Sequence, residues 1–116
     1  MKIHLLNETC VPCTGSLPPA TEAEINTLKV QIPDWEIITK NGELRLQRVY
    51  KFPDFKTALA FTQLIGEAAE QEGHHPTLLT EWGRVTVTWW THAINGLHQN
   101  DFVMAAKSDR LAANSL

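Results

Sequence analysis

The chain has 116 residues, a hydrophobic fraction of 43%, a charged fraction of 20% and a formal net charge of −3 with histidine counted as neutral. These values are typical of one globular domain with a single core, and they argue against direct nucleic-acid binding, because an acidic chain lacks the basic surface that phosphates require. No apolar run approaches the roughly 18 residues of a membrane span, and residues 1–7 lack the apolar stretch of a secretion signal, so we expect a cytoplasmic protein without membrane association.

Residues 1–20 are predicted to form an extended arm before a single domain at 21–116. The arm holds the two cysteines of the chain, Cys10 and Cys13. A C-x-x-C pair can be a redox dithiol or half of a zinc site. It precedes any convincing helix or strand, and no second metal-binding pair follows at zinc-ribbon spacing. We therefore favour a turn with reduced thiols, and two cysteines exclude a disulfide scaffold.

A helix and a hairpin are predicted to follow the arm. Thr21 and Glu24 form a capping box, and apolar residues then recur at helical spacing until Pro33 stops the helix. Trp35–Thr39 is rich in strand-forming residues, and apolar and polar residues alternate after Asn41–Gly42. Because Asn-Gly accepts the positive φ angles of a tight turn, the segment is predicted to be a β-hairpin.

A second helix and a second hairpin are predicted next. Asp54 is a candidate N-cap and Gly73 a candidate C-cap of this helix. Thr77–Glu81 and Arg84–His92 are the predicted strands, and the latter is the strongest strand signal in the chain. In the latter strand, alternation places Val85, Val87 and Trp89 on one face. The opposite face carries Thr86, Thr88, Trp90 and His92.

The last predicted element is a helix from about Gln99 to Ala113, with His98 as its N-cap. The order helix, hairpin, helix, hairpin, helix predicts an α+β domain. Its four-stranded antiparallel sheet would have three helices packed on one face, and the other face would be open to a ligand or a partner.

Candidate acid–base residues lie beyond the second helix. His74 and His75 follow its carbonyl end, which favours imidazolium, and histidine is suited to general acid–base catalysis. Glu70 lies within reach of His74, whose ring it could hold, and the hairpin would bring His92 to the same place. The alternatives are loop histidines without a function, or a catalytic zinc site with Glu70 as ligand or base. Adjacent His74 and His75 are poorly disposed to chelate one ion.

Two further residues have both a functional and a structural interpretation. Trp35 could stack on a flat heterocycle or could anchor packing after Pro33. Asp101 falls at the third position of the last helix, where an acidic side chain favours the positive end of the helix dipole.

The chain resembles the pterin-4a-carbinolamine dehydratase family from about residue 35 through the last helix, and its C-x-x-C arm looks like that of bacterial members. The resemblance lies in these residues: Glu70, His74-His75-Pro76, Trp82, Val85-Thr86-Val87, Thr91-His92, Gly96-Leu97 and Asp101. It implies the fold predicted above, a homodimer or homotetramer, no metal, and no cofactor, since the pterin is the substrate. It also implies a hydro-lyase that converts 4a-hydroxytetrahydropterin to quinonoid dihydropterin and so recycles the pterin of aromatic amino-acid hydroxylases.

The resemblance assigns roles residue by residue. The catalytic set would be His74, His75 and His92 with Glu70 in support, and the substrate-binding set would be Trp35, His75 and Asp101. Our hypothesis is that His74 and His92 are the acid–base pair and that His75 orients the pterin. Animal members also act as dimerisation partners of a homeodomain transcription factor, so a partner-binding module is one alternative. A metal-dependent or thiol redox enzyme is another.

Overall fold

The structure is a computed structural model that describes Leu5, residues 19–94 and residues 96–115. Cys10 and Cys13 of the predicted arm lie outside the described residues. Leu5 is buried and donates its backbone N–H to Gln31 Oε1 at 3.1 Å. The elements follow the predicted order: α1 (Glu22–Lys29), β1 (Glu36–Lys40), β2 (Glu43–Lys51), α2 (Phe55–Glu72), β3 (Thr77–Glu81), β4 (Arg84–Trp89) and α3 (Gln99–Ser115).

The four strands form one antiparallel sheet in the order β1-β2-β4-β3. The first hairpin turns at Asn41 and Gly42, whose φ angles of 53° and 78° are those that the Asn-Gly pair was expected to adopt. The two hairpins join through β2 and β4, where Leu46 lies opposite Trp89. The predicted α+β class and the four-stranded antiparallel sheet are confirmed.

The core lies between one face of the sheet and the helices. Helix α2 packs on β3 and β4, α3 packs on β2 and β4, and α1 packs on α3. The largest fully buried side chains of the two central strands are Leu46, Val85, Val87 and Trp89. The predicted alternation of β4 is therefore confirmed. Within the described residues, no helix has the length and apolar character needed to cross a membrane.

Two predicted boundaries were wrong. Helix α1 ends at Lys29 and not at Pro33, because the N–H groups of Gln31 and Ile32 turn to the carbonyls three residues before them. Strand β4 ends at Trp89, and His92 begins a 3₁₀ turn, His92–Ile94.

The early end of β4 has a local cause. The backbone N–H of Thr91 bonds to the carbonyl of Gly96 at 2.8 Å, and Ile94 N–H bonds to the carbonyl of Thr91 at 3.3 Å. Both backbone groups of Thr91 are thus used by the loop that follows and not by a neighbouring strand. His92 is carried into a turn at the end of the sheet.

Candidate active site

The end of α2 determines where the adjacent histidines point. Gly73 has a φ of 65°, and the N–H of His74 bonds to the carbonyl of Ala69 at 3.1 Å, as in a Schellman motif. Glycine adopts this left-handed conformation without steric cost. The chain beyond it is extended, because Pro76 disfavours helical geometry at His75. The two rings therefore diverge: His74 is buried, whereas the side chain of His75 is 57% exposed.

His74 is held between α3 and β4. Its Nε2 lies 2.6 Å from Oδ1 of Asp101, and both side chains are buried. Its ring stacks on Trp89 with a centroid distance of 5.7 Å and an angle of 9° between the planes. A carboxylate on one edge and an aromatic face on one side restrict both the position and the rotation of this imidazole.

Both oxygens of the Asp101 carboxylate are used. Oδ2 accepts the Thr91 hydroxyl at 2.8 Å and the backbone N–H of His98 at 2.9 Å. Because an ionised carboxylate only accepts hydrogen bonds, the contact between Oδ1 and Nε2 of His74 favours the ring form that carries its hydrogen on Nε2. Asp101 occupies the predicted third position of α3, and His98 is its N-cap, accepting the Asn100 N–H at 3.2 Å on Nδ1.

Glu70 pairs with a different histidine from the one expected. Its Oε1 lies 3.1 Å from Nε2 of His75, in an exposed pair. The prediction placed Glu70 beside His74, as if the helix continued. The left-handed turn at Gly73 instead directs His74 into the core and leaves His75 on the side of Glu70.

His92 lies against the ring of Trp90. The two ring centroids are 4.4 Å apart and the planes are inclined by 37°. Trp90, the first residue after β4, is buried, and it continues the side of the strand that is opposite Trp89. The sequence placed Trp90 and His92 on one face of one strand, and the structure keeps their contact although the strand ends before them.

The three predicted histidines line one cleft. Its volume is about 390 Å³, and its lining consists of Gly73, His74, His75, His92 and Ala93. The structure therefore brings together imidazoles from the end of α2 and from the turn after β4, two of them backed by a carboxylate. In the described part of the chain, no group of three or more His, Cys, Asp or Glu side chains is arranged to hold a metal ion.

Trp35 is not part of this lining. Its ring is buried and meets Tyr50 edge-on at 6.1 Å, and its Nε1 donates to Oδ1 of Asp109 at 3.0 Å. The same oxygen accepts Arg48 at 2.7 Å and the hydroxyl of Tyr50. Burial, followed by the bond to Asp109, raises the pKa of Tyr50 above its ordinary value. This is the packing interpretation of Trp35, and a contact with substrate stays a prediction.

No sequence pattern pointed to Asp109. Its partners are 59 to 74 residues away along the chain, and no local pattern distinguishes an acidic residue late in a helix.

The comparison with known families decides the relationship. The family model described as pterin 4 alpha carbinolamine dehydratase matches residues 18–111. The chain belongs to this family. Membership makes the protein a hydro-lyase that dehydrates a pterin carbinolamine, and the resemblance of the motifs is confirmed.

Individual relatives agree with the family. Proteins from Chlorobium limicola and Microcystis aeruginosa, both named "Putative pterin-4-alpha-carbinolamine dehydratase", are each 55% identical to the chain. The first aligns over 108 residues, 93% of this chain and 96% of the relative. The second aligns over 106 residues and 91% of each.

Solved structures share the fold. The structure titled transcriptional coactivator/pterin dehydratase from Brucella melitensis has a TM-score of 0.74 and 34% identity, and covers 82% of this chain and 99% of its own. A pterin dehydratase-like RuBisCO assembly factor of the alpha-carboxysome has a TM-score of 0.58 and 24% identity over 68% of this chain and 89% of its own. The second likeness extends to the fold alone.

Proposed function

We propose that His74, His75 and His92 carry out the dehydration of 4a-hydroxytetrahydropterin by general acid–base catalysis. One observation carries the proposal: all three imidazoles line a single cleft of about 390 Å³. A general acid or base must lie within hydrogen-bond reach of the proton that it transfers, and a flat bicyclic ligand in this cleft would be close to all three rings.

The reaction itself requires two proton transfers. The C4a–O bond breaks as a proton is delivered to the departing hydroxyl, and a proton leaves the adjacent ring nitrogen as the C=N bond forms. One water molecule is released, and no atom is oxidised or reduced. A pair of imidazoles in opposite protonation states meets this requirement.

We assign His74 and His92 to that pair. The contact of Asp101 with Nε2 supports a ring form with its hydrogen on Nε2, and we therefore assign the proton exchange of His74 to Nδ1. We therefore give Asp101 a positioning role through His74, since its carboxylate is buried and bonded to protein groups. His75, paired with Glu70, would orient the pterin by hydrogen bonding.

The wider context is also a proposal. We infer that the enzyme acts in the cytoplasm without a resident metal or cofactor, and that it recycles the pterin of an aromatic amino-acid hydroxylase. Assembly as a homodimer or homotetramer is supported by Phe55 and Leu59, one turn apart on α2 and 44% and 51% exposed. Apolar side chains grouped in this way often mark an interface.

The test is the catalysed loss of the ultraviolet absorbance of the carbinolamine, measured with and without a chelator and corrected for spontaneous dehydration. His74→Gln retains a donor to Asp101 but cannot exchange a proton, and His92→Ala removes an exposed ring. Each should lower kcat by roughly 10²–10⁴-fold. The control is His98→Ser, since His98 does not line the cleft and serine also caps helices. Near-wild-type kcat in both cleft variants would refute the assignment.

A further inference from the structure

Trp90, which contacts His92, is also in contact with a third side chain, that of Arg45. The Cζ atom of Arg45, in β2, lies over the Trp90 ring at 3.9 Å from its centroid. The imidazole of His92 lies 4.4 Å from the same ring. A cationic guanidinium is attracted to the face of an indole. The three side chains thus form a continuous contact from the centre of the sheet to the cleft.

Arg45 is itself held in place. One guanidinium nitrogen pairs with Glu43 Oε1 at 2.9 Å, and the Arg45 side chain is only 11% exposed. Its Nε is buried and, within the described residues, has no hydrogen-bond partner. A buried donor without a partner is unfavourable. The buried position of the Arg45 side chain therefore needs a source of stabilisation other than a hydrogen bond from Nε. The contact with Trp90 and the ion pair with Glu43 provide it.

The location of His92 explains why such support matters. His92 is exposed at the start of a 3₁₀ turn, whereas His74 is buried between Trp89 and Asp101. An exposed imidazole has rotamer freedom that a catalytic group must give up, because an error of about 1 Å in a reacting group can cost about 100-fold in rate. A fixed indole face beside the ring limits this freedom.

We propose that Arg45 and Trp90 are positioning residues for His92: Arg45 holds the indole, and the indole holds the imidazole toward the cleft. Neither touches the reacting atoms. The inference rests on the proposed function of His92, and it adds a positioning group that lies on the helix-free face of the sheet.

The first test compares four variants. Arg45→Met removes the cation and retains a long side chain, and Trp90→Leu removes the ring. Both should lower kcat about 10–100-fold while KM changes less than about twofold, and Arg45→Lys, which retains a cation, should recover most of the kcat. The matched control is Arg84→Met, because Arg84 forms the same kind of ion pair, with Glu81 at 2.7 Å, at the far end of β4. It should leave kcat unchanged.

A spectroscopic measurement reports the positioning directly. An imidazole 4.4 Å from an indole should show ring-current shifts in its carbon-bound proton resonances. These shifts should shrink in Arg45→Met and persist in Arg84→Met. Unchanged His92 resonances in Arg45→Met would overturn the proposal even if Trp90→Leu failed to fold.

A double-mutant cycle separates positioning from a general structural role. In a His92→Ala background, Arg45→Met should cause no further loss of kcat, because groups that act through one another are not additive. A full additional loss would overturn the inference. Normal kcat in Arg45→Met combined with a defective His92→Ala would also overturn it and leave the proposed function standing. Normal kcat in His92→Ala would instead remove His92 from the proposed acid–base pair, and with it the premise of this inference.

Discussion

Replacing Asp101 with asparagine tests the most constrained part of the site. The carboxylate accepts the His74 ring, the Thr91 hydroxyl and the His98 N–H at 2.6, 2.8 and 2.9 Å. In Asp101→Asn, the amide oxygen must face the obligatory backbone donor of His98. The NH₂ group then faces His74, whose Nε2 can bond to it only after losing its hydrogen. The substitution should therefore retain the fold and reverse the tautomer of His74.

The loss in free energy of unfolding can be estimated from those three hydrogen bonds. Hydrogen bonds to a charged group contribute about 1.5–3 kcal/mol each and neutral ones about 0.5–1.5, so three weakened bonds give about 3 kcal/mol. This is an upper value, because the neutral amide no longer carries the desolvation cost of a buried charge. We expect a loss of about 1–3 kcal/mol, or roughly 4–12 °C in melting temperature, and a fall in kcat of about 10²–10⁴-fold from the wrong tautomer.

Three measurements decide the outcome. Urea unfolding gives the free energy of unfolding, the ultraviolet assay gives kcat, and nitrogen-15 NMR of the imidazoles reports whether His74 carries its hydrogen on Nε2 or Nδ1. A folded Asp101→Asn protein with kcat within about threefold of wild type would refute the reasoning, as would an unchanged tautomer together with lost activity.

Two further predictions concern the ends of α2. Gly73→Ala forces a side chain into a φ of 65°, so it should lower the free energy of unfolding, measured with urea, by about 1 kcal/mol or more. The control Gly66→Ala, inside the helix, should not lower it. Equal stabilities of the two variants would contradict the left-handed conformation at the end of the helix. Bonds from the hydroxyl and N–H of Thr57 hold the pKa of Asp54 below its ordinary value of 3.8. A lowered folded-state pKa contributes stability above the unfolded-state value that is lost as the pH falls through the folded-state value. In Asp54→Asn, the free energy of unfolding should therefore decline less steeply below about pH 4. If urea unfolding from pH 6 to pH 2 gave the same decline as in the wild type, the stabilising role of the Asp54 carboxylate as N-cap would be disproved.

The elements with local signals could be predicted from sequence. Asn41–Gly42 turns the first hairpin, Thr21 caps α1 with Glu24 at 3.2 and 2.9 Å, and Gly73 ends α2. Each signal is contained within a few residues, so the physics that produces it is visible in the sequence. The alternation of β4 is equally local, and it identified Trp89 as a core residue.

The details that depend on where the backbone turns, or on distant partners, could not be predicted. Glu70 was paired with His74 because helical spacing was extended past Gly73, where the backbone turns. Strand β4 was predicted to extend to His92 because strand propensity takes no account of the hydrogen bond from the Thr91 N–H to the Gly96 carbonyl. The group around Asp109 was missed because its partners lie on β2 and before β1. No short window of sequence contains Asp109 together with these partners.

Two consecutive tryptophans point to opposite sides of the sheet, and each contacts one histidine of the site. Trp89 stacks on His74 on the helix side of the sheet, and Trp90 contacts His92 at the other side. Deleting or inserting one residue within β4 would exchange the sides of both indoles at once, and neither histidine would keep its neighbour. Chain-length variation should therefore be tolerated in the hairpin turn at Trp82–Gly83 before it is tolerated in this strand, and a directed-evolution library would do best to leave the length of β4 unchanged.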